Sequence, residues 1–386
     1  MQFDAKTSEY FLELLRSVLH DRPALPKPQD VSWKEIFEFA KYHSLSYMAY
    51  CAIRNSSFTL DDELENEWST RNSLNLVKYY NQEYERERLC ELLSKAGISY
   101  LPMKGSVIRD LFPSPEMREM CDLDILVHPE DIERVHEIML ADGYSFMKDM
   151  TTSHDREYHK LPYLNVEIHT YLLPQDNKLF SYYSDCWDKF MCREDGLRHY
   201  MTFEDSYIYM LAHAHKHFYL DGTGIRSVLD VYLMQNKHMF TTDREYVVSE
   251  LNKLGILDFA NIFERLADCW FAKESAEIPQ DLLVYHFRVL ESSTYGDNTL
   301  KSNALGIIET GKTLHTAKLI IAVKKIFPPY RSMRKKFPIL KYFPPFLPFF
   351  WLVRWVKTVF VKPERIASFF RLLKHLSLPG INEERR

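Results

Sequence analysis

Cys121-Asp122-Leu123-Asp124-Ile125-Leu126-Val127 is the stretch on which the fold turns. It opens with polar and apolar residues in alternation and closes in a continuous apolar run, the pattern of a strand wet at one end and buried at the other. Asp122 and Asp124, two apart on extended backbone, leave the same face about 6 to 7 Å apart. Carboxylates aimed together repel unless a cation lies between them. A D-x-D pair alone is also common on exposed strands, so its neighbours decide what it does.

Upstream, residues 98–103 (ISYLPM) read as a short strand ending in Lys104-Gly105-Ser106, with a helix over 107–111. A strand-to-helix turn of this kind offers free backbone N–H groups, and its glycine permits close backbone approach, so it suits a phosphate. Downstream, Pro129-Glu130-Asp131 opens a helix that Asp142-Gly143 closes, and an extended pattern resumes over 144–146. Residues 164–169 (LNVEIH) form a further strand that holds Glu167 between apolar neighbours and puts His169 on the same face. Strand, helix, strand, helix, strand, strand within 97–200 predicts an α+β architecture, a small mixed β-sheet with helices packed on it.

Helical periodicity fills both flanks. Residues 8–96 carry apolar positions at three- and four-residue spacing, with Pro23, Pro26 and Pro28 separating the first two helices and a charge-rich stretch over 60–95 reading as one long exposed helix. Further helices are expected over 206–219, 225–235, 245–254 and 259–271. There is no internal repeat. The expected organisation is an N-terminal helical region (1–96), the α/β unit (97–200), a helical domain (201–310) and a basic, aromatic, proline-containing tail (311–386).

Composition restricts the function classes. With 386 residues and 46% apolar content the chain can bury more than one core. Its net charge of -5 gives no support for a nucleic-acid partner. Six scattered cysteines without a C-x-x-C pair argue against a zinc module or a secreted disulfide framework, and the N-terminal residues show no export signal, which together point to the cytoplasm.

On the helix expected over 206–219, His213 and His217 are i,i+4 neighbours able to meet a metal or a nucleotide, with no H-E-x-x-H pattern to favour zinc. Arg226 and Asp230 repeat the spacing on the next helix, where a surface ion pair is the simplest expectation. Arg118, just before the acidic strand, is within reach of a bound phosphate or else solvated.

LPMKGSVIRDLF (101–112), MREMCDLDILV (117–127) and VEIH (166–169), in that order, resemble the nucleotidyltransferase superfamily, in its branch of poorly characterised bacterial proteins. The resemblance implies that Gly105 and Ser106 grip a nucleoside triphosphate, with Lys104 adding charge, and that Asp122, Asp124 and Glu167 are the catalytic, metal-binding carboxylates. Mg²⁺ is the implied cofactor, with Mn²⁺ as an alternative; in that chemistry two ions about 3.5 to 4 Å apart clamp the α-phosphate during in-line attack. Arg118, His169, His213, His217, Arg226 and Asp230 become nucleotide contacts. The acceptor of the NMP group is a small molecule, glycan or protein. Three other readings stay open: a catalytically degenerate nucleotide-binding sensor or partner protein, an enzyme of phosphoryl transfer to a small molecule, for which no kinase H-R-D motif is present, and a peripheral membrane or partner-binding protein acting through its tail.

The tail is distinct in composition. Between Lys318 and Lys374 there are fourteen Lys and Arg against one acid, Glu364, interleaved with aromatics and prolines. Lys341, Arg354 and Lys357 and the prolines Pro344, Pro345 and Pro348 leave residues 349–361 uninterrupted by proline, short of the roughly 20 that a span needs. Two expectations follow: a helix packed on the protein, or an interfacial helix on anionic lipid with Trp351 and Trp355 at the headgroups.

Overall fold

The computed structural model describes residues 4–103, 105–149, 155–162, 164–238, 243–294, 306–308 and 312–361. Lys104 and segment 362–386 lie outside the described residues, as does the side chain of Ser106.

Three helices, α1 (Ala5–Leu19), α2 (Trp33–Tyr42) and α3 (Ser46–Asn55), bury the apolar stripes seen in the sequence. The long helix is α4 (Asp62–Lys95), opened by Asp61, whose side chain accepts from the Leu64 N–H, and by three acids in its first turn. It is less exposed than its charge suggests, because Trp68, Gln82, Glu85, Leu89 and Leu93 are buried along its length.

The sheet contains β1 (Tyr100–Pro102), β2 (Leu123–Val127), β3 (Ser145–Asp149), β4 (Asp155–Lys160) and β5 (Leu164–His169), in the order β1-β2-β5-β4-β3. Only β2 and β5 run parallel; the other pairs are antiparallel. Between β1 and β2 lies one helical turn, α5 (Gly105–Ile108), which starts two residues earlier than the sequence suggests. Between β2 and β3 runs α6 (Ile132–Ala141). β4 is a strand that alternation does not reveal: in DREYHK only Tyr158 is buried, so the apolar signal shrinks to a single residue. The fold is α+β, with a small mixed sheet between helical flanks.

The sheet's faces meet different cores. Leu123, Ile125, Val127, Val166 and Ile168 point into a cluster with Leu89, Leu93, Val135 and Met139 from α4 and α6. Leu101 and Leu126 belong to a second, larger cluster. That cluster joins α1–α3 to α8 (Phe203–Leu220), α9 (Ile225–His238), α10 (Arg244–Leu254), α11 (Leu257–Phe271) and α12 (Leu283–Leu290), with the short α7 (Phe180–Tyr183) at its edge. Polar ties cross it: Arg16 donates from Nε and Nη2 to the Trp270 carbonyl at 3.1 and 2.8 Å. The helices before and after the α/β unit therefore share one core and close over one face of the sheet. A small ribbon, β6 (Met191–Cys192) with β7 (His199–Tyr200), borders it. Helices α13 (Leu314–Ile326), α14 (Tyr330–Lys336) and α15 (Leu347–Val361) complete the described chain. Among the described residues no helix is long and apolar enough to cross a membrane.

Candidate functional site

The parallel pairing of β2 with β5 sets Asp124 directly beside Glu167 and Leu126 beside His169. Side chains at i and i+2 share a face, so Asp124, Glu167 and His169 all leave the sheet on the side away from α6. His169 Nε2 lies 2.7 Å from Asp124 Oδ1 and 3.4 Å from Glu167 Oε2. One ligand atom from each of the three falls within 4.8 Å of the others, a spacing that suits a single cation. Asp124 and His169 are buried and Glu167 is half-buried, so the two carboxylates are held close with little water to screen them. Asp122 sits just ahead of β2, half-buried and lining the same cleft, but it is not in that three-residue group.

The cleft has a volume of about 320 Å³, at the lower end of ligand-sized cavities. The sheet forms its floor and α8 and α9 its opposite wall, which presents Tyr209, His213, His217, Arg226 and Asp230. His213 and His217 stand with Nε2 atoms 3.2 Å apart. His215, between them in sequence, turns the other way onto Phe259 and Tyr219, and burial pushes its pKa down to about 4.

Gly105 begins α5 at the cleft's edge, where an ideal Cβ would stand 2.5 Å from Arg118 Nη1 and 2.8 Å from Met120 Sδ. Arg118 is buried, and donates from Nε and Nη2 to the two oxygens of Asp230 at 2.9 and 2.8 Å. It is thus neither solvated nor at a distance from α9. Asp230 pairs with Arg118 and not with Arg226, whose guanidinium donates to the Glu119 carbonyl. Beneath this corner lies Arg109, fully buried, donating to Glu83 at 2.7 Å and Gln82 at 3.1 Å on α4. Burial lowers the Arg109 pKa while Glu83 opposes the shift.

A family model described as "Uncharacterised nucleotidyltransferase" matches residues 29–272, well over half of the chain. The chain belongs to this nucleotidyltransferase family. No curated protein and no solved structure matches it. The nucleotidyltransferase match runs from the turn before α2 to just past α11, so it contains the sheet, the cleft and its helical wall, and leaves α12–α15 outside.

Of the residues singled out in the sequence, Gly105, Arg118, Asp122, Asp124, Glu167, His169, His213, His217, Arg226 and Asp230 line this one cleft of the nucleotidyltransferase. Residues that sequence reasoning missed are Asp155, which pairs in register with His169, and Lys216 and Tyr209 on α8. Asp155 had a signal only once β4 was known to be a strand. The donor set of two carboxylates and an imidazole, held together by strand register, fits a divalent metal.

Proposed function

We propose that this cleft transfers a nucleoside monophosphate from a nucleoside triphosphate to an acceptor that awaits identification. The observation that carries the reading is the register of β2 and β5, which sets Asp124 and Glu167 side by side, with His169 against both, at the floor of a ligand-sized cleft. Asp124 and Glu167, with Asp122 at the cleft's rim, would hold Mg²⁺, or Mn²⁺ in its place. Bound there, the divalent cation would neutralise charge on the phosphates and lower the pKa of the attacking group.

The chain's own residues then have distinct tasks. His169, hydrogen-bonded to Asp124, fixes the carboxylate's orientation, as partners behind metal ligands do. Gly105 leaves room for Arg118 to lie against the turn, so the guanidinium presents positive charge where the triphosphate passes. Asp230 holds that guanidinium flat and in place. His213, His217 and Arg226 face the floor from α8 and α9 and contact the nucleotide or the acceptor. In the transfer the acceptor's nucleophile bonds to the α-phosphorus, the bond to pyrophosphate breaks, and the acceptor's proton passes to Glu167 or to water.

The test is incubation with each α-labelled NTP, Mg²⁺ or Mn²⁺ and a cell extract as acceptor source. A labelled product with the parent protein that Asp124→Asn does not form supports the reading. NTP bound by the parent but never turned over, with any extract or ion, would assign the chain to nucleotide sensing instead.

A further inference from the structure

Helices α13–α15 lie beyond the nucleotidyltransferase match, and among the described residues none of theirs lines the cleft. α13 is tied to the main core by Leu314, Ala317 and Ile321. From there the chain turns back on itself. Trp351 Nε1 donates to the Pro328 carbonyl at 2.9 Å, Trp355 Nε1 donates to the Ile326 carbonyl at 2.6 Å, and the Phe327 ring sits edge-on to both indoles at 5.2 and 5.0 Å. The two tryptophans therefore fasten α15 to the end of α13. Their indole N–H groups are thereby used within the protein.

What the fastening leaves bare is apolar. Tyr342 is 73% exposed, and Phe343, Phe346, Phe349 and Leu352 are each between 55% and 56% exposed. The Phe343 and Phe346 rings lie 6.2 Å apart, and exposed aromatics grouped in this way mark an interaction site. Its charge setting is one-sided: residues 318–361 contain ten Lys and Arg and no acid, in a chain whose net charge is -5. Lys336 and Lys341 are exposed next to the aromatics. In the sequence, basic residues come before the apolar stretch and after it. A surface with an anionic skin and an apolar interior satisfies both features at once.

We propose that α14, the turns after it and α15 form a docking face that seats this enzyme on an anionic lipid bilayer, with Tyr342, Phe343, Phe346, Phe349 and Leu352 entering the headgroup region. The helix lies on the bilayer and does not span it. Each Lys or Arg near an anionic surface strengthens partitioning about fivefold. That contribution fades with salt, since the screening length falls from about 10 Å at 0.1 M to about 3 Å at 1 M.

Flotation of the full chain on vesicles of pure phosphatidylcholine, and of phosphatidylcholine in which roughly one lipid in three is anionic phosphatidylglycerol, tests this. The full chain is expected to float with the anionic vesicles at low salt, to stay down with neutral ones, and to be released by salt. Phe343→Glu/Phe346→Glu, both on the exposed surface, should keep the parent's thermal midpoint and lose at least tenfold in bound fraction. A chain ending at Val361 should still float. Three results would overturn the proposal: a full chain that never floats, a double variant that floats like the parent, or a Val361 truncation that stays down, which would give binding to residues 362–386. Finding instead a dimer that Phe343→Glu/Phe346→Glu turns into monomers, without vesicle binding, would give the face to a second copy and overturn it as well.

Discussion

The guanidinium of Arg118 meets the carboxylate of Asp230 in a two-point ion pair, 2.9 and 2.8 Å, buried between the approach to β2 and the first turns of α9. The pair joins the sheet to the helical wall of the cleft across 112 residues of sequence. Removing one partner of such a pair leaves a buried charge without its counterion, which costs about 3 to 5 kcal/mol. Asp230→Ala should therefore lower the unfolding free energy obtained from urea titration by that amount. Arg118→Met/Asp230→Leu, which removes both charges, should recover most of the stability but not NTP affinity. A double variant that binds NTP as the parent does, by calorimetry, would leave Arg118 with a purely structural task.

Gly105 yields a prediction about space and not about backbone strain. Its neighbours fill the position that a Cβ would take, with Arg118 Nη1 at 2.5 Å and Met120 Sδ at 2.8 Å. Met120 is itself held from below, since Arg109 Nη2 lies 2.6 Å from its sulfur. Arg118 is anchored by Asp230 and Met120 by Arg109, so Gly105→Ala should destabilise by about 1 to 3 kcal/mol through overpacking. It should also push Arg118 off the turn, so NTP affinity falls more than the loss of stability alone would explain. Pairing Gly105→Ala with Met120→Ala, which opens space under the turn, should restore part of the melting temperature.

The parts of this site that were legible in the sequence are those whose spacing alone fixes geometry. Glu167 and His169 at i,i+2 have to share a face of β5, and the apolar residues around them say which face is buried. Asp122, expected on one strand with Asp124, instead lies just ahead of β2 and lines the cleft from outside the strand. That β2 and β5 are neighbours and parallel is a property of topology, so the contact between His169 and Asp124 could not be read from spacing. The partner of Asp230 was hidden for the same reason. The i,i+4 rule puts Arg226 nearest in sequence, whereas a loop more than a hundred residues away supplies the better-oriented guanidinium. β4 was hidden because its face toward the cleft is polar, which erases the alternation that reveals a half-buried strand. Trp351 and Trp355 show the limit of amphipathic spacing, which identifies a face but not the carbonyls to which the indoles donate.

Acid should weaken the fold through histidines buried as neutral rings. Burial pushes His43 down to about 3 and His215 and His286 to about 4. In the unfolded chain these rings take up a proton near pH 6.5, so between about pH 6.5 and 4 the unfolded state binds more protons and stability falls as pH falls. Above about pH 6.5 these three groups contribute no pH dependence. His43 is the most informative, because its Nδ1 accepts from the Ile225 N–H at 3.2 Å and joins α9 to the N-terminal helices. His43→Gln, which retains an acceptor, should lower the slope of unfolding free energy against pH by up to one proton over that window. Urea titrations at steps from pH 7 to pH 4.5 measure the slope directly, and an unchanged slope would place the acid sensitivity elsewhere.

Metal loading should act on stability before any turnover is measured. Asp124 and Glu167 are held side by side by strand register, and their mutual repulsion is a cost that a divalent cation removes. Binding to the folded state alone stabilises it by RT ln(1 + [L]/Kd), about 2.7 kcal/mol at a hundredfold excess over Kd. Mg²⁺ or Mn²⁺ should therefore raise the melting temperature of the parent, and EDTA should return it to the starting value. Asp124→Asn keeps the volume and one acceptor for His169 but loses the charge, so it should abolish the metal-dependent rise. His169→Ala removes the group that orients Asp124 and should weaken metal binding by about 10- to 100-fold, with the rise recovered at higher metal concentration. These two responses separate the roles: loss that excess metal does not rescue belongs to a ligand, and loss that it does rescue belongs to a positioning residue. If His169→Ala proved as unresponsive as Asp124→Asn at every concentration of Mn²⁺, the imidazole would be a ligand in its own right, as its 3.4 Å approach to Glu167 also allows.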